Sequence, residues 1–335
     1  MKKIAWGILG CARIAERALI PALRAAANAE LTGIAARDER RAREWAERFG
    51  IPRAHEDYAA LLADPGIDAV YIPLPNHLHA EWAIRAAKAG KHVLCEKPLA
   101  LTEDEARTMF RAAEESGVLL MEAFMYRFHP QFERTLSVVR SGEIGDVLTF
   151  RSAFTFLFAS GCEDYRWYPQ MGGGALYDVG CYPVNAARTV FGGEPISVFA
   201  RARLHPERGI DLATGLLVEF SGGRQALLDC AFDTPFQSWL EIVGTKGRIA
   251  LPRAFSAKHF DVPIDIFKDD ATDTILVPAS NQYVRMVEHF GESILRGTPL
   301  RYAAEDAFGN ARVIDAAFRS LRGGRPVQLG SADEI

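Results

Sequence analysis

Asp178, Tyr182 and Asn185 stand four and three residues apart in and just beyond the segment Gly172-Gly173-Gly174-Ala175-Leu176-Tyr177-Asp178-Val179-Gly180-Cys181-Tyr182-Pro183-Val184. On a helix that begins near Gly174, that spacing places all three on one face. Such a polar face has two readings: Tyr and Asp satisfy one another against a core, or they aim at a reacting molecule. A phenol with its ordinary pKa of roughly 10 is a poor base near neutrality, so the second reading asks for a neighbouring ammonium to stabilise the phenolate.

A second set of residues suits a nucleotide. The apolar run from Ile4 leads into Gly7-Ile8-Leu9-Gly10-Cys11-Ala12-Arg13-Ile14-Ala15, and Leu31 to Ala36 forms the next apolar run. Strand, tight turn, helix over about Ala12 to Ala27, and a second parallel strand make a βαβ unit, in which Gly10 permits the turn. The backbone of Cys11, Ala12, Arg13 and Ile14 then meets a pyrophosphate at the helix start. Ala12 and Ala15 stand where second and third glycines are expected, so the turn alone also fits an ordinary strand-to-helix connection. Met1-Lys2-Lys3 before this run imitates a short signal peptide, but two glycines and the charges Arg13, Glu16 and Arg17 fit the buried strand and amphipathic helix better.

The second strand ends in Ala36-Arg37, where an acid would hydrogen-bond a ribose 2′-hydroxyl and repel a 2′-phosphate. An arginine there favours NADP(H) over NAD(H), with Arg40 and Arg41 adding positive potential. Asp38 is positioned to take over the acid's role, and Arg37, Arg40, Arg41 and Arg43 also read as a solvated helix start.

These groups need elements to hold them. Apolar runs at Ala69 to Ile72, His92 to Cys95 and Val118 to Met121 alternate with helical patterns at Leu78 to Ala89 and from Thr102, a capping residue followed by acids, to Ser116. That is a doubly wound parallel sheet, whose ligands sit beyond the carboxyl ends of the strands. Three strand exits are polar: Pro73-Leu74-Pro75-Asn76-His77-Leu78-His79, Cys95-Glu96-Lys97-Pro98 and Glu122 to Pro130. Pro73, Asn76, His79, Glu96 and Lys97 are therefore placed at the cofactor. His77 and His79 have no carboxylate or cysteine at ligand spacing, and no metal is expected.

Glu96-Lys97-Pro98, Pro75-Asn76-His77 and above all the segment from Gly172 to Val184 resemble the glucose-fructose oxidoreductase, inositol dehydrogenase and MocA family. Met121 to Gln131 resembles the subgroup of dimeric dihydrodiol dehydrogenase and NADP-dependent D-xylose dehydrogenase, and Gly244-Thr245-Lys246-Gly247 a family turn. The resemblance spans nearly the whole chain and departs at Ala12 and Ala15. It implies an N-terminal Rossmann domain followed by an α+β domain whose open sheet serves dimerisation, with the last helices packed near the first domain. It implies catalysis by Lys97, Asp178 and Tyr182. Removal of the hydroxyl proton must accompany hydride transfer from a carbinol, and Tyr182 would exchange that proton while Lys97 lowers its pKa. Asp178 would orient Lys97 or a sugar hydroxyl. In some relatives the lysine is itself the proton-transfer group.

The 335 residues carry 39 Lys and Arg against 43 Asp and Glu, a net charge of −4, the wrong sign for a nucleic-acid binder. No run reaches the roughly 18 apolar residues of a membrane span. Five scattered cysteines, Cys11, Cys95, Cys162, Cys181 and Cys230, suit a reducing cytosol and a cytoplasmic protein. From Val147 the pattern changes to alternating runs at Val147 to Phe158, Ser197 to Leu204, Gly215 to Phe220, Gln225 to Phe232, Trp239 to Val243 and Arg248 to Leu251, a mostly antiparallel sheet. Helices return at Gln282 to Leu295 and Ala304 to Leu321. The expected organisation is residues 1–125 for the nucleotide and 126–335 for substrate and oligomerisation.

Tyr126, Arg127, His129, Arg166, Trp167 and Asn185 are expected to bind substrate, since rings beside hydrogen-bonding groups suit a sugar or a flat dihydrodiol. Interdomain salt bridges explain Arg127 and Arg166 equally well, and Phe124 and Phe128 read as core. The leading expectation is an NADP-dependent dehydrogenase of an aldose or trans-dihydrodiol. Its alternatives are a keto-sugar reductase, an NAD-retaining glycosidase, and a cofactor-sensing regulator, which would have no need of Lys97, Asp178 and Tyr182 together.

Overall fold

The computed structural model describes residues 2–159, 163–257 and 260–330; Met1 and Cys162, named above, lie outside the described residues. The chain forms two compact units, Met1–Met125 with Asn281–Phe308, and Tyr126–Ser280 with Gly309–Ile335.

The first unit holds β1 (Ile4–Leu9), β2 (Ala29–Ala35), β3 (Arg53–His55), β4 (Ala69–Ile72), β5 (His92–Cys95) and β6 (Leu120–Glu122), in the order β3-β2-β1-β4-β5-β6. Every pairing is parallel. The strand order reverses between β1 and β4, the position at which open sheets of this kind bind nucleotides. In β4 all four consecutive residues are buried, so both faces are covered, which is why these strands read as continuous apolar runs.

Gly10 has φ +117°, and a Cβ there would lie 2.9 Å from Leu74 Cδ2, so only glycine fits the turn. The following helix differs from a regular one over Ala12 to Ala27: a π segment, Ala15–Leu19, precedes the α-helix Ile20–Ala25. Pro21 has no N–H for the carbonyl four residues back, and the widened turn sits just before it. Thr102 caps the helix Glu103–Glu115 by accepting from Glu105 N. The late helix Gln282–Arg296 packs on this sheet, with the Phe290 ring 5.7 Å from Trp6 and Asn28 Nδ2 donating to Glu288 O at 2.7 Å.

The second unit is built on β7 (Val147–Thr155), β8 (Pro195–Leu204), β9 (Asp211–Phe220), β10 (Arg224–Ala231), β11 (Gln237–Gly244), β12 (Arg248–Leu251), β13 (Val262–Lys268), β14 (Ala271–Val277) and β15 (Val327–Gln328). They form one sheet in the order β14-β13-β12-β11-β7-β10-β9-β8-β15, antiparallel except where β7 and β10 run parallel. Burial alternates along β9, with Leu216, Val218 and Phe220 in the core and Gly215 and Glu219 exposed.

Candidate active site

In the first unit the candidate residues gather at the carboxyl ends of the strands. Gly10 N donates to Ala35 O at 2.8 Å, drawing the turn against the end of β2, and Arg41 donates to Cys11 O at 3.1 Å. Burial pushes the Cys11 thiol up to about 11, against the nearby Arg41, so it stays protonated near neutrality. Ala12 and Ile14 are half-buried and Arg13 is exposed.

Asp38 serves its own helix: its Oδ1 accepts from Arg40 N at 3.0 Å and caps the helix Glu39–Arg48. Arg43 pairs with Glu39, and Arg40 lies 3.8 Å from Glu44. Arg37 is exposed and forms no ion pair among the described residues. The two readings of the arginine cluster thus divide: Arg40 and Arg43 belong to the helix surface, while Arg37 and Arg41 flank the turn. Tyr58 joins them, its phenol raised by burial and lowered in turn by Arg37 and Arg41.

The turn carrying Lys97 is braced from three sides. Tyr71 OH donates to Glu96 Oε1 at 2.5 Å, and Glu96 Oε2 accepts from Lys97 N at 3.3 Å. His79, fully buried, places Nδ1 2.8 Å from Pro98 O and Nε2 2.8 Å from Leu74 O. Glu122 Oε1 accepts from Leu99 N at 2.8 Å. Burial lowers His79 to about 4, opposed by the two carbonyls. Tyr283 is raised by burial and by Glu96 and lowered by Lys97. Pro73 and Asn76 are buried and Lys97 is half-buried.

In the second unit the Gly-rich segment turns into a helix, but not the regular one its spacing predicts. Leu176–Gly180 is a π turn that runs into the α-helix Cys181–Phe191. Tyr182 and Asn185 share the α-helical part, whereas Asp178 lies in the wide turn, where residues four apart no longer stack as in an α-helix. Asp178 Oδ2 pairs with Arg166 Nε at 2.9 Å, and Arg166 also binds Asp164 Oδ1 at 3.0 Å. Burial works against the Arg166 charge, and Asp178, Tyr165 and Asp164 outweigh it. This ion pair lies within one unit.

Tyr182 sits in an aromatic nest, with ring centroids 5.1 Å from Phe154, 5.6 Å from Phe255 and 5.9 Å from Tyr126. Tyr126 OH donates to Asn185 Oδ1 at 2.6 Å, and both are fully buried. Arg127 is buried, and so is His129, whose Nδ1 accepts from Gln131 N to cap the helix Pro130–Arg140. Trp167 is buried against Phe158 at 4.9 Å. Phe124 and Phe128 are buried too.

Sequence reasoning passed over Tyr58, Tyr71, Phe154 and Phe255. Tyr71 alone left a signal, a polar hydroxyl inside an otherwise apolar strand. Among the described residues no group of three or more His, Cys, Asp or Glu is placed to hold a metal ion, and no helix is long and apolar enough to cross a membrane.

Comparisons with known proteins agree with this layout. Residues 4–124 match an oxidoreductase family with an NAD-binding Rossmann fold, and residues 132–250 the GFO/IDH/MocA C-terminal domain. The chain is 41% identical over 325 residues to the NADP(+) D-xylose 1-dehydrogenase 2 of Haloferax volcanii, covering 97% of this chain and 99% of that protein. It is 36% identical over 252 residues to the trans-1,2-dihydrobenzene-1,2-diol dehydrogenase of Xenopus laevis, covering 74% of each. A crystal structure of a 3-ketoreductase from Actinomadura kijaniata, in complex with NADP and TDP-benzene, superposes with a TM-score of 0.90 at 36% identity, covering 96% of this chain and 98% of that one. With both family domains matched in order and relatives this similar along its length, the chain belongs to the GFO/IDH/MocA family and is a dehydrogenase or reductase.

Proposed function

We propose that this enzyme is an NADP-dependent dehydrogenase acting on a CH–OH carbon of an aldose or a trans-dihydrodiol, with Lys97, Tyr182 and Asp178 as its catalytic residues. The observation that carries this reading is the Lys97 turn, fixed by Tyr71 through Glu96, by His79 and by Glu122 at the nucleotide-binding end of the sheet. So much bracing suits a lysine whose ammonium must stay where it is needed. The likeness to the Haloferax D-xylose dehydrogenase supports an aldose substrate.

Bound NADP+ supplies the hydride acceptor. Gly10, Cys11, Ala12, Arg13 and Ile14 offer the turn and helix start to its pyrophosphate, and Arg37 and Arg41 favour its 2′-phosphate because the Asp38 carboxylate is committed to Arg40 N. Pro73, Asn76, His79, Glu96 and Lys97 shape the remaining half-site. The Lys97 ammonium stabilises the Tyr182 phenolate, which takes the substrate hydroxyl proton and becomes the neutral phenol as the hydride leaves. The aromatic nest keeps water from the phenol. Asp178, held by Arg166, hydrogen-bonds a neighbouring substrate hydroxyl. Tyr126, Arg127, His129, Trp167 and Asn185 complete the substrate half-site, with Tyr126 and Asn185 acting from behind Tyr182.

The same residues run the reverse reaction, and the likeness to the 3-ketoreductase favours reduction of a keto-sugar as the second reading. The outer face of the second sheet carries Phe199, Leu217, Leu227 and Trp239, and we assign it to homodimerisation. We assign the enzyme to the cytoplasm on its scattered cysteines, whose number and spacing suit a reducing compartment. Nicotinamide absorbance at fixed NADP+ or NAD+, with D-xylose, other aldoses, a trans-dihydrodiol and, with NADPH, a nucleotide-linked ketosugar, tests the function. NADP+-dependent oxidation of an aldose or dihydrodiol is expected. Turnover of the ketosugar alone establishes the second reading, and turnover of none refutes both.

A further inference from the structure

The Gly-Gly-Gly-Ala sequence that leads into the helix bearing Asp178 and Tyr182 holds no polar side chain, so nothing local caps the first turn. The cap comes from another strand. Asp211, at the start of β9 and 35 residues away, accepts from Leu176 N at 2.7 Å and from Thr214 Oγ1 at 2.8 Å, both through Oδ2. The backbone N–H groups of Ala175 and of Asp211 itself also act on this carboxylate, which is 2% exposed. Its Oδ1 presses on Gly174, where φ is +105° and a Cβ would sit 1.9 Å away. The approach therefore exists only because residue 174 has no side chain, and it satisfies N–H groups that a helix otherwise leaves unpaired.

We infer that Asp211 is a positioning residue for the reaction, an N-cap supplied from β9 that sets the placement of the turn and helix carrying Asp178 and Tyr182. The inference rests on the catalytic reading above. Burial pushes the Asp211 carboxyl up to about 7, while Thr214 and the amides of Leu176, Asp211 and Ala175 pull it down. Cys230 is the titratable neighbour on β10, and burial together with Asp211 keeps its thiol well above its ordinary value and neutral.

The test compares full-length wild type, Asp211→Ala and Asp211→Asn by hydrogen exchange and by steady-state kinetics with the substrate the panel identifies. Asp211→Ala is expected to speed exchange across residues 175–182 about tenfold and to lower kcat about tenfold. The KM for NADP+ stays unchanged because the nucleotide half-site is untouched. Asp211→Asn keeps one acceptor oxygen and should fall between the two in both readings. Unchanged exchange in Asp211→Ala, or wild-type kcat despite faster exchange, would overturn the inference. Should Asp211→Ala fail to fold, Asp211→Asn decides, and wild-type exchange and kcat in that variant would overturn it equally. If the wild type turns over no substrate, the catalytic reading fails while exchange still decides whether Asp211 holds the helix.

Discussion

Replacing Arg37 with alanine removes an exposed guanidinium at the end of β2, beside a turn whose other flanking cation, Arg41, remains tied to Cys11 O at 3.1 Å. A charge-assisted contact to a 2′-phosphate contributes about 1.5–3 kcal/mol. Exposure and salt screening put Arg37 at the lower end of that range, so NADPH affinity should fall about ten- to thirtyfold. NADH, which has no 2′-phosphate, should change by less than about twofold on the same argument. Asp38→Ala is the companion variant. Because the Asp38 carboxylate serves Arg40 N, it should lower stability by about 1 kcal/mol and leave the NADPH to NADH ratio untouched. Nicotinamide fluorescence titrations of both cofactors at two salt concentrations give the four dissociation constants. An unchanged ratio in Arg37→Ala, or a shifted one in Asp38→Ala, would rule out Arg37 as the 2′-phosphate contact.

Tyr71→Phe leaves buried Glu96 without its phenol donor and should lower stability by about 1–3 kcal/mol in urea unfolding. A loss below about 0.5 kcal/mol would show that the bond does not brace the Lys97 turn. His79 supplies a pH dependence. Its native pKa is lowered from 6.5 to about 4, so the unfolded chain binds the proton first as pH falls. Its contribution is complete above pH 6.5 and is lost on acidification towards pH 4, up to about 3 kcal/mol. His79→Gln should flatten the slope of stability against pH across that window, and an unaltered slope would count against a neutral buried imidazole.

What the sequence disclosed depended on whether the signal was local. The parallel sheet was legible because β4 and β5 are short apolar runs between helical patterns, and the Thr102 cap because its acids follow at once. β14 went unread because it is exposed along nearly all its length and carries no alternation. The π turn at Leu176–Gly180 was invisible to a spacing argument that assumed regular helix, so Asp178 was assigned the face of Tyr182. The ion pair of Asp178 with Arg166 and the capping of Leu176 N by Asp211 join separate segments, and nothing near these residues in sequence announces them. The arginine cluster was ambiguous for the opposite reason. Four like residues within seven positions share one local signal, and only the contacts of Arg40, Arg41 and Arg43 separate the helix surface from the turn.

The proposed mechanism stands or falls with Tyr182 as the group that handles the substrate proton. Turnover of Tyr182→Phe tests it most directly, with NADPH binding measured on the same preparation. Tyr182→Phe is expected to lower kcat by about 10²–10⁴-fold and to leave the NADPH dissociation constant unchanged. Near-normal turnover with intact cofactor binding would contradict it.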